Sequence, residues 1–272
     1  MNTPAFLVEA RDFALELGLQ AAARLRQGQT QALQIVEKTQ GDWCSALDSE
    51  VEDLLRRRIA ERYPQHLFWG EESHSGTPDA EQLQDRPVWV VDPIDGSMNF
   101  LRGYPQYAIS IALLHGGQPV VACIVDPVRQ EAFTAARGLG ATCNGHPLRV
   151  APTAKLEQCV ASTVFPKPRA SFMDDYLREL SAVMKNVSGV RRAGSMALEL
   201  AYLAAGRIDV FWERGMGAWD AAAGLLLIEE AGGHLWPLDG QAWYASGALA
   251  ASTPALRVAW QQLLTQATDP AT

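Results

Sequence analysis

Blocks of apolar residues along this chain switch between helical and extended spacing, and the switches mark out its elements. From Ala5 to Leu25 the apolar positions Phe6, Phe13, Leu17 and Leu25 have charges between them, which predicts an amphipathic helix. A strand is expected over Gln31 to Glu37, ended at Lys38 by the polar loop Thr39-Gln40-Gly41-Asp42. Asp48 is placed to cap a helix from Ser49 to Tyr63, whose Val51, Leu54, Leu55 and Ile59 share a face. His66 to Trp69 reads as a strand running into Gly70-Glu71-Glu72-Ser73. Val88 to Val91, bounded by Pro87 and Pro93, reads as a short buried strand that stops abruptly.

Extended spacing dominates the middle of the chain. Tyr107 to His115 and Pro119 to Asp126, joined by Gly116-Gly117-Gln118, predict a hairpin, and Glu131 to Ala136 a further strand. Beyond about Val150 the pattern predicts strands near Val160 to Thr163 and Ile208 to Trp212, and helices from Phe172 to Lys185 and Met196 to Ala205. Asp220 is placed to cap an apolar helix from Ala221 to Ala231, with Trp219 packed beneath it. Strands through Trp236 and near Leu249 to Ala251 and a helix from Ala255 to Ala267 close the chain. Antiparallel strands among helices point to a layered mixed α+β fold rather than a doubly wound sheet. The expected organisation is one lobe over 1–150 and a second over 151–272, packed tightly as one unit.

Composition narrows the function classes. With 272 residues and 48% hydrophobic content the chain can bury a sizeable core. A formal net charge of -8 disfavours general nucleic-acid or anionic-membrane binding. No run approaches the ~18 apolar residues of a membrane span, and Glu9, Arg11, Asp12 and Glu16 near the start do not suit a signal peptide. Cys44, Cys123, Cys143 and Cys159 are far apart and form no CxxC pair, so buried or inert thiols in a reduced, cytoplasmic compartment are expected.

The candidate chemistry sits where strands end in acids. Asp92 and Asp95 stand three residues apart across a Pro-Ile corner, followed by Gly96, which permits close backbone approach to a ligand, and by Ser97 and Asn99, which suit the mouth of a short helix. Two carboxylates beside an anion-binding helix start repel each other and the anion, and a hard cation such as Mg²⁺ resolves both conflicts. An Asp-Pro turn with an acidic helix cap is the plainer alternative. Glu71 and Glu72 repeat the pattern about twenty residues upstream and read alone as solvated surface. Asp220, at the start of a nearly all-apolar helix, is either a cap or a third metal-facing acid. His66, His74, His115, His146 and His234 lie outside these clusters and read as structural.

Taken together, Gly70-Glu71-Glu72-Ser73, Asp92-Pro93-Ile94-Asp95-Gly96-Ser97-Met98-Asn99-Phe100 and Trp219-Asp220-Ala221-Ala222-Ala223-Gly224 resemble, in order and spacing, the signatures of the inositol monophosphatase family, within the lithium-sensitive Mg-dependent phosphatases. The likeness covers nearly the whole chain, extends through Arg191-Arg192-Ala193-Gly194-Ser195 and Glu213, and is nearest the bacterial inositol-1-monophosphatase branch. It implies an α-β-α-β-α sandwich and a Mg²⁺-dependent phosphomonoesterase with two to three ions. Glu71, Asp92 and the Ile94 carbonyl match the ligands of a first ion, Asp92, Asp95 and Asp220 those of a second, and Glu71 with water those of a weaker third. Ser97, backed by Asp48, stands where the family orients the attacking water, and the Gly96 and Ser97 amides where it holds phosphate. Gly194, Ser195 and Glu213 align with positions that grip the alcohol. That chemistry suits a hydrolysis so slow uncatalysed that paired ions ~4 Å apart are needed to stabilise the attacking and leaving oxygens.

Two positions depart from the family pattern. Ser97 replaces the usual Thr, keeping the hydroxyl but losing the methyl that fixes its rotamer. Met196 stands where many inositol-specific members carry a small residue, so its side chain bears on the choice of alcohol. Inositol phosphate or another small polyol or sugar phosphate is expected, with fructose 1,6-bisphosphate, histidinol phosphate and 3′-phosphoadenosine 5′-phosphate as alternatives. The resemblance also implies a homodimer, lithium inhibition and, as in some bacterial relatives, a regulatory partner in the transcription machinery.

Overall fold

The computed structural model describes residues 3–28, 35–39, 42–73 and 78–268. In chain order the elements are α1 (Pro4–Gly28), β1 (Ile35–Thr39), β2 (Asp42–Ser45), α2 (Ala46–Arg62), β3 (Leu67–Gly70), α3 (Ala80–Asp85), β4 (Val88–Asp95), α4 (Ser97–Leu101), β5 (Ala108–His115), β6 (Gln118–Asp126), β7 (Glu131–Ala136), β8 (Ala141–Cys143) and β9 (His146–Pro147). They continue as β10 (Val160–Ser162), α5 (Met173–Asn186), β11 (Gly189–Arg191), α6 (Met196–Ala204), β12 (Val210–Glu213), α7 (Ala218–Glu230), β13 (His234–Pro237), α8 (Trp243–Ser246), β14 (Leu249–Ser252) and α9 (Arg257–Thr268). Among the described residues no helix is long and apolar enough to cross a membrane.

A seven-stranded sheet runs β3-β4-β5-β6-β7-β8-β9 and a five-stranded sheet β11-β10-β12-β14-β13. Only β3 joins the large sheet in parallel. The period of two in the central strands decides the layering. On β4, Val88 and Val90 enter the core between the sheets, while Trp89 and Val91 enter the core under α1 and α2. β5 does the same with Ala112 and Leu114 on one side and Ile109, Ile111 and Leu113 on the other. The helices α6 and α7 fill the space between the sheets, where Leu200, Leu226 and Ile228 are buried. On the outer face of the small sheet, α5 and α9 cover Trp212 with Tyr176, Val183 and Trp260. The result is the expected α-β-α-β-α sandwich.

Several boundaries differ from the sequence reading. The first strand continues through Thr39, which pairs with Asp42 of β2, so the two ends of the expected polar loop belong to paired strands. Residues 31–34, 40 and 41 lie outside the described residues. The second helix begins at Ala46, capped by Ser45 rather than Asp48. β4 does not stop at Pro93. It continues to Asp95 across a bulge, where three steps along β4 match two along β5 (Asp92 opposite Ser110, Asp95 opposite Ala108). Proline lacks the N–H a regular ladder needs, and a bulge is where a central strand tolerates it. Likewise α7 starts at Ala218 and is capped by Gly217, three residues ahead of the expected cap Asp220.

Candidate active site

The bulge in β4 places the central acids. Asp92 Oδ1 accepts a hydrogen bond from the Ile94 amide at 2.9 Å, a local turn that carries the chain round Pro93. Asp220 reaches the same corner from the first turn of α7, its Oδ2 accepting from the Gly217 amide at 2.8 Å. Carboxylate oxygens of Asp92, Asp95 and Asp220 all lie within 4.8 Å of one another. Parallel pairing of β3 with β4 sets Gly70 opposite Val91, so Glu71 follows directly beside Asp92 and donates its amide to Val91 O at 3.2 Å.

Such crowding is electrostatically unfavourable without a cation. Burial, and then the charges of Glu71, Asp95 and Asp220, push the Asp92 carboxyl well above the usual carboxylate range. Burial, with Asp95 and Glu71, does the same to Asp220. Burial raises Asp95 to about 6 although the Ser195 hydroxyl and the amides of Met196, Ala197 and Leu198 hold it down. Hard oxygen ligands that destabilise one another when charged are the donor set a divalent metal ion stabilises, so the cluster fits a metal.

Asp48 makes contacts on two sides. Its Oδ2 accepts from the Ser45 amide at 2.8 Å and the Ser45 hydroxyl at 2.7 Å, closing the cap of α2. Its Oδ1 faces the other way, 2.7 Å from Ser97 Oγ. Ser97 Oγ also lies 2.8 Å from the Ile94 carbonyl, so its single proton is shared between two acceptors beside the acidic corner.

Asp95 is clasped by the start of α6. Ser195 Oγ and the Ala197 amide donate to its Oδ2, the Met196 amide to its Oδ1. Gly96, at φ 93°, adopts a left-handed conformation, and a Cβ there would lie 3.0 Å from both Gln106 O and Gly194 O. Asn99 ties the same two walls, its Nδ2 donating to Gln106 O at 2.7 Å and to Ala193 O at 2.8 Å. Glu213 is buried at the end of β12, accepting from the Val164 amide at 2.8 Å and from Thr163 Oγ1 at 3.2 Å. Burial raises its carboxyl to about 8.

The structure therefore gathers Glu71, Asp92, Ile94, Asp95, Gly96, Ser97, Asp48, Asp220, Gly194 and Ser195 through direct contacts. Glu213 stands apart, tied to the segment after β10. The Ser195 side chain is turned onto Asp95, and Met196 packs against the core between the sheets. Glu72 lies apart too: its amide donates at 2.7 Å to Glu52 Oε2 from α2. Sequence reasoning missed Ser45 and Glu52, and it placed Asn99 at the helix mouth without its tie to Gln106 and Ala193. Ser45, three residues ahead of an acid, carried a capping-box signal; Glu52 carries no local signal of its contact. Of the histidines, His66 accepts from Trp89 Nε1 at 3.0 Å, a packing role; His74 lies outside the described residues. Burial raises the Cys123 and Cys159 thiols to about 12, which makes them inert.

This geometry has counterparts in known proteins. An inositol-1-monophosphatase of Mesorhizobium japonicum is 44% identical over 237 residues, covering 85% of this chain and 88% of that protein. A Nus factor SuhB of Xylella fastidiosa is 39% identical over 210 residues, 77% of this chain and 74% of that one. The crystal structure of the extragenic suppressor protein suhB from Bartonella henselae superposes with a TM-score of 0.87 at 35% identity, covering 95% of this chain and 99% of that chain. Residues 7–270 match the sequence profile of one family, and with the acidic corner they lead to a single assignment: this chain belongs to the inositol monophosphatase family.

Proposed function

We propose that this chain is a Mg²⁺-dependent phosphomonoesterase that hydrolyses inositol phosphate or a related small polyol or sugar phosphate. The observation that carries this reading is the convergence of Asp92, Asp95 and Asp220 within 4.8 Å, next to a hydroxyl–carboxylate pair, Ser97 and Asp48, 2.7 Å apart.

Glu71, Asp92, Asp95, Asp220 and the Ile94 carbonyl would hold two ions, with Glu71 and water holding a third. Bound Mg²⁺ supplies charge neutralisation on the phosphoryl oxygens and acidifies water. The protein groups do the rest. Asp48 draws the Ser97 proton, so the Ser97 oxygen is left to accept from the attacking water and to aim it at phosphorus. The Gly96 and Ser97 amides donate to phosphate oxygens. A P–O bond forms to water, the P–O bond to the alcohol breaks, and the alcohol leaves with a proton. Asp95, held still by Ser195, Met196 and Ala197, would present its carboxylate to the ion. Glu213 and the Gly194–Met196 backbone would flank the alcohol, with the Met196 side chain limiting its bulk. A cytoplasmic homodimer is the expected assembly.

The test is phosphate release across myo-inositol 1-phosphate, glycerol 2-phosphate, fructose 1,6-bisphosphate, histidinol phosphate and 3′-phosphoadenosine 5′-phosphate, with Mg²⁺ and with EDTA. Turnover that needs Mg²⁺ and prefers a polyol phosphate supports the reading. A preference for the bisphosphate, histidinol phosphate or the nucleotide overturns the substrate assignment, and no turnover overturns the activity.

A second reading is supported by the likeness to the Xylella fastidiosa protein named a Nus factor. A surface of the same fold would bind a partner in the transcription machinery. An Asp95→Asn variant that loses turnover but keeps the protein's cellular effect would favour it.

A further inference from the structure

Away from the carboxylate corner, arginines of this acidic chain converge on one other cleft. It has a volume of about 340 Å³ and opens between the β6–β7 turn, the end of β11 and the turn after α6. Arg129, Arg191 and Arg207 line it together with Tyr202.

Two of these guanidiniums are fixed in place. Arg129 Nη1 donates to Asp126 Oδ2 at 2.9 Å and to Pro105 O at 3.0 Å, and the Arg207 fork clasps Glu131. Both lie against the Tyr202 ring, at 6.0 and 4.9 Å from its centroid. Arg191 is exposed, uses one N–H on the neighbouring Val190 carbonyl, and forms no ion pair with any described residue. The cleft's own acid is already engaged: Glu199 accepts from Ser162 Oγ and from the Ala193 amide. Arg129 and Arg207 each use only part of their five N–H groups on Asp126, Pro105 and Glu131, so three guanidiniums with donors left over surround a small cavity.

We propose that this cleft binds a small phosphate-bearing anion at a site distinct from the carboxylate corner. Guanidinium forks match phosphate geometry with paired N–H donors, and forks already held in position lose little freedom on binding. The cleft shares a wall with the acidic corner, because Gln106 and Ala193 line it and their carbonyls are the two that Asn99 ties together.

The test is a backbone-amide NMR titration of the full chain in Mg²⁺ with inorganic phosphate, and separately with methylphosphonate as a stable ester mimic. Amides of Arg191, Ala193 and Ile208 shift saturably, independently of those of Gly96 and Ser97. Arg191→Gln weakens the first set at least tenfold and leaves the second in place. Tighter binding of phosphate assigns the free ion, and tighter binding of the phosphonate a phosphorylated metabolite. Shifts confined to Gly96 and Ser97, shifts at Arg191 that survive Arg191→Gln, or shifts that follow protein concentration rather than ligand overturn the proposal. Absence of the Gly96 and Ser97 shifts alone bears on the phosphatase reading instead.

Discussion

Ser97 and Asp48, 49 residues apart in sequence, meet at 2.7 Å because the residue that closes the cap of α2 turns its second oxygen toward α4. One carboxylate thus joins helix stability to the positioning of a hydroxyl. Asp48→Asn is predicted to lower kcat by about 10²–10⁴ with little change in KM, and to cost about 1 kcal/mol of stability through the weakened cap. Ser97→Ala should match the kinetic loss without the stability loss, and Ser97→Thr should keep activity. Steady-state kinetics beside thermal melts separate these effects.

Removing charge from the acidic corner should act on stability and on metal binding in opposite directions. Asp92→Asn relieves a buried carboxylate that burial and its neighbours disfavour, so the metal-free variant is predicted to melt higher than metal-free wild type. Its Mg²⁺ affinity, measured by calorimetry, should fall at least tenfold. A variant that melts lower without metal would contradict the crowding argument.

The same groups set the pH dependence. Asp95 titrates near 6 in the fold against about 4 in an unfolded chain, so between those values the folded state binds more protons. Stability of the metal-free protein is therefore full below pH 4 and declines as pH rises through 6, by about 3 kcal/mol for this group. Glu213, raised to about 8, extends the decline toward pH 8. Mg²⁺ stabilises the ionised carboxylates and should flatten the slope between pH 4 and 7. Melting temperatures across pH with Mg²⁺ and with EDTA read this directly.

Gly70 is required by a contact rather than by its backbone angle. A Cβ there would fall 2.3 Å from Glu52 Oε2, the oxygen that holds the Glu72 amide. Gly70→Ala is predicted to cost about 1–3 kcal/mol and to weaken Mg²⁺ binding by displacing Glu71. Glu52→Ala in the same chain should recover part of the stability but not the metal affinity, as read by denaturant melts and calorimetry.

Much of this organisation was legible in the sequence because burial imposes simple periods. Val88 to Val91 reads as a strand since both of its faces are covered, and Gly116-Gly117 marks the β5–β6 turn because both glycines adopt positive φ. Asp92 and Asp95 stood out as acids at the end of an apolar strand, just ahead of Gly96. What the sequence hid were long-range exchanges. Nothing local says that β4 passes Pro93 through a bulge, since the ladder that accommodates it lies on β5. Nothing local marks Glu52 or Glu199, and only packing reveals that they hold the Glu72 and Ala193 amides. Asp48 and Asp220 were each read one turn too late, because an acid at the third helical position reaches back to the cap and imitates it.

Lithium offers a further check, since Li⁺ is expected to replace a weakly held Mg²⁺ in the product complex. Phosphate release should fall at millimolar Li⁺, and unchanged rates would count against a labile ion at Glu71.

We propose that Asp92, Asp95 and Asp220 hold the Mg²⁺ on which hydrolysis depends. Phosphate release from myo-inositol 1-phosphate, titrated with Mg²⁺ in wild type and in Asp220→Asn, tests it most directly. The prediction is saturable Mg²⁺ activation in wild type and a loss of at least 10³-fold in the variant, with the fold intact by melting. Wild-type turnover in EDTA, or an Asp220→Asn enzyme with the wild-type Mg²⁺ response, would contradict it.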